Sequence, residues 1–275
     1  PTSSSLHGPL EFKDCSAGNP LAFRFTSSFD HDDSTTYANL TTAVDTDNAL
    51  ICLMGDGMVI QEGVSPADTV SLDSDNLIFI APQGQTATLK NSLAGQNVVT
   101  TAGFVNIKFI GITIDSNANN TGVAGIYIPA SSDSILMQDI YVDTKNNGPA
   151  IRAVNTGTNI KIENSKVDAL NGGIGLETYG SSHVTVDQSE IDATLYTIKS
   201  SVNSSVTVIN DSFLINSGTA NTNYIIYTVN KGNIIVNDST MVDHSGGGIE
   251  LDTGGTGTSG LELNRSTFSR TSNAT

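Results

Sequence analysis

Between residues 159 and 182 apolar and polar residues alternate in three short bursts. Ile160 and Ile162 fall on one side, Lys161 and Glu163 on the other; Val167 centres a second burst, and Ile174 and Leu176 a third after the turn Asn171-Gly172-Gly173. Alternation of period two predicts half-buried strands. Three strands so close together leave no room for crossover helices. Such a unit cannot bury its own apolar face, so it must stack on copies of itself.

The copies are present. Apolar pairs matching Ile160/Ile162 occur at Ile107/Phe109, Ile135/Met137, Val184/Val186, Val206/Val208, Ile234/Val236 and Leu261/Leu263. The interval is roughly 22 to 28 residues, the length of a β-solenoid coil. A second strand recurs at Ile112/Ile114, Ile140/Val142, Val167, Ile191, Phe213, Met241 and Phe268. A third recurs at Ile126/Ile128, Ile151/Ala153, Ile174/Leu176, Ile198, Tyr227/Val229 and Ile249/Leu251. Upstream, 49–54 and 58–60 read as strands, Leu77–Ile80 fits the first-strand register, and 81–105 reads as a larger loop. Ahead of them, Ser34 is placed to cap a helix over 35–46, with Tyr37, Leu40 and Val44 on one face. The expected division is an N-terminal segment with helix at 1–48 and a solenoid at 49–275.

This repeat resembles the right-handed parallel β-helix of the pectate-lyase-like superfamily over about residues 49–270. The resemblance implies an all-β fold with three parallel strands per coil, named PB1, PB2 and PB3. The bursts at Ile160, Val167 and Ile174 then correspond to PB2, PB3 and PB1. The family often carries a polar ladder in the PB2–PB3 turn; Asn164, Gln188, Asn210, Asp238 and Arg265 match that position. It also commonly plugs the N-terminal end of the stack with a short helix, as 35–46 would. The last coil runs out after Phe268 without a capping helix. That is expected of the front part of a longer solenoid, such as an autotransporter passenger.

Composition narrows the partners. The net charge is -16, with only 12 Lys and Arg, which argues against nucleic acid, since phosphate binding needs a basic stripe. Charged residues make up 15%; neutral polar turns suit closely stacked strands, where rows of like charge repel. No apolar run reaches the length of a membrane span. The two cysteines, Cys15 and Cys52, leave two readings open. They form a disulfide tying the N-terminal segment to an early coil, or Cys52 is a buried thiol alternating with Leu50 and Met54.

The resemblance implies that substrate lies along the PB1 face. The expected outward residues there are Tyr127, Arg152, Gly175 with Glu177, Thr197 with Lys199, Ile226 with Thr228, and Glu250 with Asp252. Tyr127, Arg152, Glu177 and Lys199 form the candidate ligand-binding row. Arg pairs carboxylates, a Tyr ring offers an apolar face, and Lys a point charge; the bland alternative is a surface charge ladder. The family's polygalacturonase-type, epimerase-type and calcium-cluster motifs are not found in the coils, so no catalytic residue is assigned. Asp115, Asp143, Asp168, Asp192 and Asp243 recur near PB3 and are expected to bond turn backbone. A Ca²⁺ row is the weaker alternative, because Ca²⁺ needs six to eight converging oxygens; no cofactor is expected. Asp30-His31-Asp32-Asp33 precedes the coils, and His183 and His244 fall in turns. The leading expectation is a secreted or cell-surface, adhesin-type solenoid that binds a polysaccharide, surface glycan or protein. The alternatives are a polysaccharide lyase or hydrolase and a phage or virion spike.

Overall fold

A computed structural model of the chain describes residues 22–25, 29–30, 47–48, 50–53, 58–62, 70–72, 74–81, 85–91, 95–117, 123–154, 159–202, 205–244, 247–252 and 259–271. Their strands form three parallel sheets of ten, ten and eight strands. The chain visits the sheets in rotation. Asn159–Glu163 in PB2 leads to Lys166–Ala169 in PB3 and Ile174–Tyr179 in PB1, and each pairs in parallel with its counterpart one coil later. The fold is an all-β solenoid, with no helix among the described residues. The expected helix at 35–46 lies outside them.

Two upstream features differ from expectation. Ala22–Phe25 already pairs with Leu50–Leu53 in the PB2 sheet, so the ladder begins before residue 49. Residues 81–105 are not a large loop: Ala87–Asn91 and Val99–Thr100 take ordinary PB3 and PB1 positions. A single apolar core fills the solenoid from Ile51 to Met241, with Phe79 and Phe109 stacked at 5.3 Å between ring centres. Burial of each such Ile, Leu or Phe stabilises by roughly 1.5–3 kcal/mol. Outside the PB2 sheet a satellite cluster joins Leu50, Cys52, Ile78 and Ile80. Cys52 there is disulfide-bonded; Cys15, the chain's other cysteine, lies outside the described residues.

Three strands sit one residue away from the expected parity. Leu214 points inward and Phe213 outward, 37% exposed. Thr207 and Ile209 are buried in place of Val206 and Val208. Ile226 and Thr228 are buried, which turns Tyr227 and Val229 outward. In each, apolar residues occupy both faces of the alternation, so the period cannot choose; pairing with neighbouring coils does. Ile209, for example, lies between Val186 and Val236.

Side-chain ladders lock the corners. At the PB2–PB3 turn Asp139, Asn164, Gln188, Asp211, Asp238 and Arg265 adopt positive φ of 46–54°. Asp211, not Asn210, holds the turn position. Asn210 instead starts a true asparagine ladder one residue earlier: Asn237 Nδ2 donates to it at 2.8 Å, and Asn264 to Asn237 at 2.9 Å. From Asn164 onward the residue after the turn position is a serine, whereas Ile140 follows Asp139. The amides of Ser165, Ser189, Ser212 and Ser239 donate to the hydroxyl of the serine one coil on, at 3.0–3.2 Å. Each hydroxyl donates to the carbonyl two residues back, so buried polar groups are satisfied in both directions.

Candidate functional site

The PB1 register sets the site. Tyr127, Arg152, Glu177, Lys199, Tyr227 and Glu250 are consecutive partners across six strands, so all stand in one outward column. The expected row Tyr127–Arg152–Glu177–Lys199 is thus brought together. Its flanks are corrected. Gly175 and Thr197 are buried, with Thr197 donating to the Ile215 carbonyl at 2.6 Å, and Ile226 and Thr228 face the core.

Glu177 is the hub of the column and only 3% exposed. Lys199 Nζ donates to its Oε1 at 2.8 Å. Arg152 Nε lies 2.9 Å from its Oε2, an ion pair off the ideal hydrogen-bond axis. With a cation beside each oxygen, Glu177 positions two positive groups. The two cations share one carboxylate, and Glu250 further along the column brings its formal charge to balance.

Beside Lys199 stands an aromatic block absent from the expected row. The rings of Tyr196, Tyr224 and Tyr227 are near-parallel, with centres 4.7–6.1 Å apart and planes within 11–20° of one another. All three are half-buried. Lys199 Nζ lies 5.8 Å from the Tyr196 ring centre, within cation–π range. A hydrogen bond to Glu250, with some burial, pushes the Tyr224 phenol up to about 12. Burial, then Glu250, raises Tyr196; burial, then Asp252, raises Tyr227. Alternation alone puts Tyr227 in the core and so hides the block; Tyr196 and Tyr224, register partners on adjacent coils, follow from the same pairing.

On the PB3 face Asp115, Asp143, Asp168 and Asp192 stack in register. Their repulsion is offset by side chains, not by turn backbone. Lys90 lies 3.4 Å from Asp115, and Lys145 pairs with Asp143. Lys166 lies 3.6 Å from Asp168, which also accepts from Tyr141 Oη at 2.8 Å. The Ser217 hydroxyl donates to Asp192 at 2.7 Å. Burial is the main cause raising the Asp192 carboxyl. Asp243 sits elsewhere, fully buried and paired with Asn216 of the coil before. Among the described residues no group of three His, Cys, Asp or Glu converges as a metal site. His183 is exposed at a strand start, and His244 hydrogen-bonds Thr271. Asp30 closes a two-residue strand, while 31–33 lie outside the described residues.

No family model matches the chain, and no curated protein does. Solved structures do. A pectate lyase from a Bacillus species, in complex with trigalacturonate, aligns over 97% of this chain and 89% of its own, with TM-score 0.58 and 12% identity. A pectin methylesterase from Aspergillus niger aligns over 90% of both chains, with TM-score 0.53 and 11% identity. The fold is the pectate-lyase-like parallel β-helix. A mutant pectin methylesterase in complex with a hexasaccharide shares it, with TM-score 0.50 and 9% identity over 91% of this chain and 94% of its own. At such identities a pectate-lyase-like β-helix fixes the scaffold and not the chemistry. No helix among the described residues is long and apolar enough to cross a membrane.

Proposed function

We propose that this protein is a glycan-binding β-helix of the adhesin type, acting in secreted or cell-surface form, and that it takes polysaccharide on its PB1 face. The observation that carries this reading is the stacked block Tyr196–Tyr224–Tyr227 beside Lys199 and Arg152. Aromatic surface packs against the apolar face of a sugar ring, and the guanidinium and ammonium donate to hydroxyls or to a uronate carboxylate. The Arg152 and Lys199 donors, held on one carboxylate, are the column's anchors for a glycan that carries carboxylates. Two fold neighbours are described as oligosaccharide complexes, which supports the same class of partner. Glu177 holds the two cationic donors in place, a positioning role that suits binding.

Incubation with polygalacturonate, alginate and glycosaminoglycans, with and without Ca²⁺, tests this. Retention on the immobilised chains without shortening is expected, and Lys199→Ala or Tyr227→Ala lowers it at least tenfold. Shortened chains by mass spectrometry would overturn it in favour of a lyase or hydrolase.

A further inference from the structure

A second candidate site lies on another side of the solenoid. A groove of about 690 Å³ runs along the corner between PB2 and PB3, crossing five coils. With coils about 4.8 Å apart it extends roughly 19 Å. Each coil contributes equivalent positions. The exposed positive-φ turn residue forms one wall and the first outward residue of PB3 the other; the floor is Ile140 in the first coil and a buried serine, Ser165, Ser189 or Ser212, in the next three. The serine hydroxyls are consumed by their own ladder, so recognition falls to the walls.

The outer wall reads Tyr141, Lys166, Glu190, Phe213 and Thr240 in register. Two aromatic rings therefore stand three coils apart, roughly 14 Å. Phe213 is 37% exposed although its neighbour Leu214 is fully buried. Tyr141 is held by its hydrogen bond to Asp168. The inner wall presents the side chains of Asn164, Gln188 and Asp211, which have no hydrogen-bond partner among the described residues. Acids outnumber bases: of Asp139, Glu190, Asp211 and Asp238, Glu190 is paired with Lys166 at 3.0 Å and Asp238 with Arg265, which leaves Asp139 and Asp211 in excess.

We infer that this corner is a second glycan site, and that its ligand is an extended neutral polysaccharide. The rings stack on sugar faces, and the amides and carboxylates take hydroxyl hydrogen bonds. The negative walls repel polyuronates, unlike the charge-balanced PB1 column with its Arg152 and Lys199 donors. A hexopyranose unit is close to one coil spacing in length, so a linear chain keeps pace with the repeating walls. An extended polypeptide fits less well, because the strands beside the groove are already paired on both sides and offer no edge to extend.

Affinity electrophoresis through gels containing galactomannan, xyloglucan or mixed-linkage β-glucan, with polygalacturonate as the anionic counterpart, tests this site apart from the PB1 column. At least one neutral polymer retards the protein. Phe213→Ala combined with Asn164→Ala weakens that retardation about tenfold, Phe213→Tyr preserves it, and retention on polygalacturonate does not change. Lack of retardation by every neutral polymer overturns the inference, and so does retardation that survives the double substitution. Loss of polygalacturonate retention in Lys199→Ala reports on the PB1 site alone.

Discussion

At the scale of single residues, Glu177 and Tyr224 show how the PB1 column is held. Glu177→Gln removes the carboxylate that Arg152 and Lys199 share from the strands on either side. Breaking a buried ion pair by deleting one partner costs about 3 kcal/mol, so Glu177→Gln is expected to lower the unfolding free energy by an amount of that order, read as a lower denaturant midpoint. A shift near zero would mean that water screens the triad. Tyr224 provides a spectroscopic handle. Its phenol, ordinarily 10.0, is pushed up to about 12, chiefly by its hydrogen bond to Glu250. A phenol raised in the folded state contributes stability that is present below its unfolded pKa and lost as pH rises through the folded one. Phenolate absorbance is therefore expected to show a late-titrating tyrosine, and Glu250→Gln to return it towards 10. If that substitution leaves the titration curve unmoved, Glu250 is not what holds the phenol.

Elements are locked to one another at the PB2–PB3 corner. Ser189 accepts from the Ser165 amide at 3.1 Å and donates to the Asp187 carbonyl at 2.7 Å. Ser189→Ala strands a buried amide, which costs about 1–3 kcal/mol; the change is read as a lower thermal midpoint and faster exchange of the Ser165 amide. Gln188 has a φ of 48°. A β-branched side chain is poorly tolerated there, so Gln188→Val is expected to destabilise by about 1–2 kcal/mol while Gln188→Asn is neutral, in parallel chemical unfolding. The same corner explains how far the chain could be read without coordinates. Alternation exposed the coils, their three strands and the Arg152–Glu177–Lys199 row, because those strands are apolar on one parity only. It misplaced Phe213, Val206 and Tyr227, whose strands are apolar on both. For Phe213 the sequence held an unused anchor. The inward serine before the PB3 strands from Lys166 onward fixes the next residue outward, as in Ser165-Lys166-Val167 and Ser212-Phe213-Leu214. Tyr227 has no such anchor, so the aromatic block emerged only from the pairing of Lys199 with Tyr227.

At the scale of the whole molecule, charge governs the response to pH. The chain carries -16, and four of its aspartates are stacked in line on PB3. Burial, joined by Asp168 and Glu190, holds the Asp192 carboxyl above the usual range, and burial with Glu163 does the same to Asp139. Such groups bind their protons more tightly in the folded state. Their contribution to stability is present below the unfolded pKa and lost as pH rises through the folded one. Asp238 has the opposite sign: the Arg265 guanidinium holds it below the usual range, so its contribution is present above the unfolded pKa and lost as pH falls through the folded one. Lys145, Lys161 and Lys166 are raised by their carboxylate partners and weaken only in alkali. The thermal midpoint is therefore expected to climb as pH falls towards the ordinary carboxylate pKa of about 3.9 from above, and to drop below it. Added salt screens the aligned charges and should flatten that climb while leaving its sign unchanged. Calorimetry at low and high ionic strength decides the matter. A midpoint that falls steadily over that approach would show that the lysines, and not proton uptake by the aspartates, balance the ladder.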